Sequence, residues 1–237
     1  MARLFSLCAV VTLFVVPAVA DWNPGQPYKM HFPQLPDPEG WDVMGTFPKV
    51  LADDWLCTET GPVTDIHFWG SWREGLVGQI TAIDLSIHAN NPGPPSTPVN
   101  PPLWARRFFP GQWRERVYGT GPQGWFNPNT GFWRRPDHSI YYQYNFVGIE
   151  QPFTQLRGTI YWLDVSVHTQ TGYEWGWKTS LNHFMDDAVF GDYPNPQWRE
   201  LRDPITGQSL DLAFVITPEP GALVLLAVGS LVLLRQR

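Results

Sequence analysis

Cysteine is scarce in this chain, which excludes a disulfide-rich scaffold. The sequence has two cysteines among 237 residues, and Cys8 lies inside an apolar N-terminal run typical of a removable export signal. Removal of that run leaves Cys57 without a partner for an intramolecular disulfide. We therefore expect Cys57 to be a small buried apolar side chain, with a surface thiol or an intermolecular bridge as the alternative.

Catalytic motifs are also missing, and helix signals are nearly absent. The sequence contains no nucleophile elbow, no Gly-x4-Gly-Lys phosphate loop and no His-Glu-x-x-His motif. The paired carboxylates of a glycosidase cannot be recognised from sequence, because their separation is a property of the fold. We therefore predict a protein that is not an enzyme, and keep a secreted glycan-active hydrolase as an alternative.

Basic residues are few relative to acidic ones. The chain has 16 Lys and Arg against 22 Asp and Glu, and setting aside Arg3, Arg235, Arg237 and Glu219 leaves 13 against 21, a net charge of −8. An acidic surface disfavours nucleic acid and anionic lipid as partners. We therefore predict that the protein has no nucleic-acid partner.

The N-terminus has the three parts of a secretory signal peptide. A basic start at Arg3 is followed by an apolar run from Leu4 to Val16, and small residues at Ala18 and Ala20 form the A-x-A pattern that signal peptidase reads. We predict a signal peptide over residues 1–20, cleavage after Ala20 and export of a chain that begins at Asp21.

The C-terminus has a second tripartite signal. Thr217-Pro218-Glu219-Pro220 precedes an uncharged segment, residues 221–234, and the chain ends Arg235-Gln236-Arg237. As a helix, this segment spans roughly 21 Å, against a hydrocarbon core of about 30 Å. It is short for a permanent transmembrane helix, so a transient membrane anchor is favoured over an ordinary tail anchor.

These C-terminal residues resemble the PEP-CTERM sorting signal of Gram-negative bacteria. The resemblance implies recognition by an exosortase-like integral-membrane cysteine protease and a location at the cell surface or in an extracellular polysaccharide matrix. It implies recognition residues at Pro218, Glu219 and Pro220, a membrane segment at 221–234, and a basic stop at Arg235 and Arg237.

The segment between the signals, residues 21–216, has the pattern of one all-β domain. Short runs of aromatic and β-branched residues recur between Gly, Pro and Asn clusters, and seven to nine such strands favour a β-sandwich or jelly-roll-like fold. Asn90–Pro102 has six prolines in thirteen residues and is predicted to be a long exposed loop; Leu181–Ala188 is the predicted helix. The predicted strands are Thr64–Trp72, Gln79–His88, Arg114–Gly119, Ser139–Val147, Gly158–Thr169, Tyr173–Thr179 and Leu210–Ile216.

Two of these strands carry the same pattern, Asp-x-Ser-x-His, at 84–88 and 164–168. Alternation of apolar and polar residues predicts that both strands are buried on one face. Within one strand the Asp and His are about 13 Å apart, too far to share a metal or relay a proton. Combinations between the strands remain open, and the order of the flanking segments favours related sheet positions over a duplicated unit.

Tryptophan is abundant, with 13 residues in the chain. Trp69, Trp162 and Trp177 lie inside strand patterns and are expected in the core. Four others lie in Pro-, Gly- and Asn-rich sequence near the arginine pairs 106–107 and 134–135, where exposed rings suit stacking on a sugar. The candidate ligand-binding residues are therefore Trp104, Trp113, Trp125 and Trp133.

Two acidic clusters are further candidates for a bound ion. Asp53-Asp54 with Glu59, and Asp186-Asp187 with His183, offer oxygen ligands for Ca²⁺ but lack the spacing of a known calcium loop. We predict no cofactor and no defined metal ligand, with structural calcium as the alternative.

Several segments resemble an uncharacterised bacterial domain found on secreted, often PEP-CTERM, proteins. The resemblance covers most of residues 40–195, implies one compact unit and transfers no catalytic residue. We expect a non-enzymatic protein of the envelope or polysaccharide matrix, with a carbohydrate-binding module as the alternative. The segments that carry the resemblance are 52–58, 64–72, 160–164 and 176–180.

Overall fold

This computed structural model describes residues 21–218, and fifteen β-strands lie within this range. Among these residues the helical structure is one 3-10 turn at Arg73–Gly75. The strands are β1 (Trp41–Met44), β2 (Lys49–Leu56), β3 (Gly61–Pro62), β4 (Asp65–Trp72), β5 (Ile80–Asn91), β6 (Thr97–Pro98), β7 (Trp104–Phe108), β8 (Arg114–Asn127), β9 (Phe132–Phe146), β10 (Thr154–Gln155), β11 (Ile160–Thr169), β12 (Trp175–Lys178), β13 (Val189–Asp192), β14 (Arg199–Glu200) and β15 (Phe214–Thr217).

Two large sheets contain most of the strands. The first has the order β12-β1-β8-β9-β4-β15, and β12 also pairs with β4, so that five of its strands form a closed ring. The second has the order β14-β13-β2-β11-β5-β6, with β7 also paired to β5. A separate pair joins β10 to β3.

The hydrophobic core lies where the two sheets face each other. Leu85 and Val165 of the second sheet belong to the same buried cluster as Phe68, Trp175 and Trp177 of the first. Because side chains alternate between the faces of a strand, the apolar residues of β5 and β11 point into this core and their polar residues point away from it. The fold is therefore all-β and sandwich-like, and the predicted core position of Trp69, Trp162 and Trp177 is confirmed.

The predicted helix at Leu181–Ala188 is wrong. This segment is irregular, and its amides bond to distant residues instead of to the preceding turn: Leu181 N donates to Leu35 O at 3.1 Å and Ala188 N to Leu210 O at 3.0 Å. Phe184 N donates to Asp211 Oδ2 at 2.6 Å. Since these partners satisfy the backbone, no helix is needed to bury it.

The predicted loop Asn90–Pro102 is only partly exposed. β5 continues to Asn91 and turns back through β6, which pairs Asn91 with Thr97, and Ser96 and Pro98 are buried. The prolines exclude this segment from the middle of the sheet but allow a two-residue edge strand.

Cys57 is a free thiol and is 1% exposed, which confirms its prediction as a buried side chain. The predicted signal peptide with Ala18 and Ala20, and the sorting-signal residues Glu219, Pro220, Arg235 and Arg237, lie outside the described residues.

Candidate functional site

Two neighbouring strands carry the same polar pattern on the outward face of the second sheet. β5 has Asp-Leu-Ser-Ile-His at 84–88 and β11 has Asp-Val-Ser-Val-His at 164–168. The strands are antiparallel, with Ser86 opposite Asp164 and Ser166 opposite Asp84. Because the pattern runs in opposite directions, each aspartate lies beside the histidine of the other strand.

The first of these pairs is completed by an arginine from β7. His168 Nε2 lies 2.8 Å from Asp84 Oδ2, and Arg107 donates to both oxygens of Asp84, at 2.7 and 2.8 Å. Burial alone raises the pKa of a carboxyl group, but the hydrogen bonds from Arg107 and His168 outweigh it and lower the pKa of Asp84. Asp84 is therefore held as a carboxylate.

The second pair is buried more deeply. His88 Nε2 lies 2.8 Å from Asp164 Oδ2, and His88 Nδ1 lies 2.9 Å from Val99 O. Both neighbours are acceptors, so both ring nitrogens must carry a proton. Burial opposes this charge, but the hydrogen bond and the charge of Asp164 raise the pKa of His88 above its ordinary value. Tyr193 Oη donates to Asp164 at 3.2 Å from above the sheet.

A groove of about 610 Å³ opens over these residues beside β7, and we call it the β7 groove. The Phe47 ring is 44% exposed and stacks on the His168 ring at a centroid distance of 4.3 Å. This stacking holds the apolar face of Phe47 next to the Asp84–Arg107 ion pair, because Asp84 is hydrogen-bonded to both Arg107 and His168. The polar and aromatic residues that line the groove are Phe47, Asp84, Ser86, Arg106, Arg107 and Tyr193.

The chemistry of the β7 groove suits binding better than proton transfer. Ser166 Oγ donates to Lys49 O at 2.6 Å, and within residues 21–218 neither Ser166 nor Ser86 is hydrogen-bonded to a histidine. Because Asp84 is paired with Arg107 and its pKa is lowered, it is a poor general acid. The groove instead combines an aromatic face with fixed hydrogen-bonding groups, which is the composition of many small-ligand sites.

The four candidate tryptophans do not form one site. Trp125 is fully buried, so its prediction as a stacking platform is wrong: it lies on β8, not in a loop, and has no face open to a ligand. Trp104 is half-buried, and its Nε1 donates to Gln151 O at 3.0 Å. Trp113 is half-buried against Phe146, with ring centroids 6.1 Å apart.

Trp133 is the exposed member of the four, with 45% of its surface accessible. It lies near the tip of the β8–β9 hairpin and packs edge-on against Trp41 at 6.1 Å. The arginine pair 134–135 is therefore on the hairpin of the first sheet, whereas the pair 106–107 borders the β7 groove on the second. The candidate tryptophans and arginine pairs that the sequence grouped together are therefore divided between the two sheets.

The comparison with family models gives one match. A model described as a domain of unknown function (DUF7901) matches residues 30–217, which includes both sheets and the β7 groove. The chain belongs to this family. No curated protein and no solved structure matches the sequence.

The DUF7901 domain contains the β7 groove residues that sequence reasoning missed. Phe47 and Tyr193 were not predicted, because each lies in a connection next to a strand, β2 or β13, that was itself not predicted. The mirrored Asp-x-Ser-x-His pattern was the available signal, and it indicated two neighbouring strands but not the ring above them.

Two further features concern ions and membranes. In the described range of the DUF7901 chain, no three Asp, Glu, His or Cys side chains form a group able to hold a metal ion. A helix long and apolar enough to cross a membrane is likewise not found between residues 21 and 218.

Proposed function

We propose that the protein is an exported, non-enzymatic component of the bacterial envelope or extracellular polysaccharide matrix, sorted through a PEP-CTERM signal by an exosortase-like protease. The observation that carries this proposal is the anchoring of the first residues after the predicted cleavage. Trp22 is 3% exposed and packs edge-on against Trp69 at 6.2 Å. Gln143 Nε2 donates to Trp22 O at 2.8 Å. A mature chain beginning at Asp21 retains all of these contacts.

The last described strand is connected to the same place. Asn145 Nδ2 donates to Asp21 Oδ1 at 3.3 Å, and Asn145 Oδ1 lies 2.7 Å from His67 Nδ1. His67 Nε2 in turn lies 3.2 Å from Thr217 Oγ1. Asp21 and Thr217 are therefore joined through two side chains, so the two predicted processing points flank one folded unit without an intervening linker.

Mass spectrometry of protein recovered from the native cell surface and medium tests this proposal. We expect an N-terminus at Asp21 and loss of the residues from about Pro218 onward. A chain that ends at Arg237 in both fractions contradicts sorting by cleavage and indicates a tail-anchored protein. As a control, we expect a Glu219→Ala variant to keep the Arg237 terminus while its N-terminus is still Asp21.

A second candidate function is carbohydrate binding, and the β7 groove is the observation that favours it. Sugars pack their C–H faces on aromatic rings and direct their hydroxyl groups to carboxylate and guanidinium groups. Phe47 supplies the ring, while Asp84 and Arg107 supply a rigid acceptor and donor. This proposal places the site at Phe47 in preference to the exposed Trp133.

Phe47→Ala is therefore expected to reduce affinity for the native extracellular polysaccharide at least tenfold, since a central aromatic contact contributes about 2 kcal/mol or more. Affinity electrophoresis in gels containing that polysaccharide measures the change. Phe132→Ala is the matched control, because Phe132 is similarly exposed at 43% but lies on the β8–β9 hairpin. Loss of binding with Phe132→Ala or Trp133→Ala, but not with Phe47→Ala, would move the site to the hairpin.

A further inference from the structure

Five aspartates that are distant in sequence meet at one end of β2. β13 pairs with β2 so that Val189 faces Ala52, and the chain before β13 therefore passes beside the residues that follow Ala52. Ser180 N donates to Asp211 O at 2.8 Å and Ala188 N donates to Leu210 O, which brings a third segment to the same place. The aspartates of this acidic cluster are Asp53, Asp54, Asp186, Asp187 and Asp211.

Asp53 and Asp54 are neighbours in the chain but differ in their partners. Asp53 lies on the core side of β2 and accepts hydrogen bonds from Gln34 Nε2 at 2.8 Å and from Asp54 N at 2.7 Å. Asp54 points to the opposite face and is 1% exposed. Neither Oδ1 nor Oδ2 of Asp54 accepts a hydrogen bond from any residue of the described range.

The charges around Asp54 are predominantly negative. Burial, followed by the charges of Asp211 and Asp186, raises the pKa of Asp54 to about 8. The basic side chains near the cluster contact aspartates other than Asp54: Arg202 pairs with Asp187 at 2.7 Å, and the half-exposed His183 lies 3.4 Å from Asp211. A buried carboxylate with no partner is costly, so a group that satisfies both oxygens is missing from the protein side chains.

We propose that Asp54 binds a calcium ion together with Asp186. Asp186 is half-buried, so it supplies a route from solvent to the inner carboxylate. Ser96 Oγ donates to Asp186 Oδ2 and places a hydroxyl oxygen at the same point. Two carboxylates, a hydroxyl and water form an all-oxygen ligand set of the kind that Ca²⁺ accepts with irregular geometry.

The proposed site has only two carboxylates, since no three acidic, histidine or cysteine side chains in residues 21–218 form a metal-binding group. Two carboxylates are sufficient when neutral oxygens complete the shell. The ion joins three separate segments: β2 through Asp54, the segment before β13 through Asp186, and the turn before β6 through Ser96. Its role is structural, since it fastens two loops to the outward face of the second sheet.

Thermal unfolding of the exported protein in EDTA and in CaCl2 tests this site. A ligand that binds only the folded state raises Tm, and at about one hundred times the dissociation constant we expect a rise of about 5–10 °C. We expect Asp54→Asn to abolish the rise and to leave Tm in EDTA nearly unchanged, because the amide has the same size as the carboxyl group and no hydrogen bond to the Asp54 carboxyl oxygens is lost. Asp192→Asn, which alters a surface ion pair with Lys49, should keep the full response.

The absence of any calcium-dependent rise in the wild-type protein overturns the proposal, and so does an equal rise in NaCl of the same ionic strength. If Asp54→Asn does not fold, Asp186→Asn replaces it, because Asp186 is only half-buried. A wild-type response to calcium in the folded Asp54 or Asp186 variant also overturns it. Proteolysis between residues 92 and 100 gives a second readout: calcium should slow cleavage in the wild-type chain and not in the variants.

Discussion

Lys178→Ala is expected to destabilise the domain by about 3–5 kcal/mol. The Lys178 side chain is completely buried on β12, and its Nζ donates to Gly40 O at 3.0 Å and to Asp42 Oδ2 at 3.3 Å. Asp42 is also buried and lies 2.9 Å from His138 Nε2. Removing the lysine leaves part of the Asp42 charge uncompensated in the core, and this desolvated charge is the source of the large effect.

Urea denaturation followed by tryptophan fluorescence measures this change in unfolding free energy. Lys49→Ala is the matched control: Lys49 also pairs with an aspartate, Asp192, at 2.6 Å, but that partner is 46% exposed. A solvent-exposed pair contributes about 1 kcal/mol or less. Equal losses for the two variants would mean that burial of the Lys178–Asp42 pair adds nothing to its contribution.

The strands of the second sheet show which parts of the fold the sequence could predict and which it could not. The alternating apolar residues of β5 and β11 correctly predict two strands with an apolar face in the core, because a period of two is a local signal. The prediction that only this face is buried is wrong, since Ser86, Asp164 and Ser166 on the polar face are at most 5% exposed.

β2 was missed although it lies in the middle of the second sheet, since Asp53 and Asp54 interrupt its apolar pattern. Asp53 is satisfied by residues outside β2: Gln34 lies 19 positions before it and Leu212, whose amide donates to Asp53 Oδ2, lies 159 positions after it. No local pattern contains that information.

The position of Trp125 was mispredicted for a related reason. Gly119, Gly121, Pro122 and Gly124 precede it and are typical of a loop, yet β8 runs from Arg114 to Asn127. The pairing of β8 with β9 shifts register three times between Val117 and Trp125, and such bulges allow glycine and proline within a strand. The β7 groove was predictable only in part. The mirrored Asp-x-Ser-x-His pattern indicated the two strands, but Phe47 contacts His168 only in the folded chain, and no local pattern predicts this contact.

His67 is expected to make the domain sensitive to acid. Its Nδ1 donates to Asn145 Oδ1, which can only accept, and its Nε2 faces Thr217 Oγ1, so the buried ring is the neutral tautomer protonated at Nδ1. Burial lowers the pKa of His67 from 6.5 to about 4. The unfolded chain therefore binds the proton first, and stability that is fully present above pH 6.5 is lost as the pH falls towards 4. The loss amounts to about 3 kcal/mol.

Comparison of the wild-type protein with His67→Gln isolates this effect, because the glutamine keeps a donor and an acceptor but does not titrate. We expect the stability of the wild type relative to the variant to fall by about 3 kcal/mol between pH 7 and pH 4, measured by urea denaturation at each pH.

His138→Gln should show the opposite pH dependence, with the stability of the wild type relative to this variant falling as the pH rises. Burial opposes the charge of His138, but hydrogen bonds and charges from Asp42 and Asp137 raise its pKa, so its stabilisation is complete below pH 6.5 and declines as the pH rises through the folded pKa. If the difference in unfolding free energy between the wild type and His67→Gln stays constant across this pH range, the folded protein protonates His67 as readily as the unfolded chain does. In that case the buried His67 is not the cause of acid sensitivity.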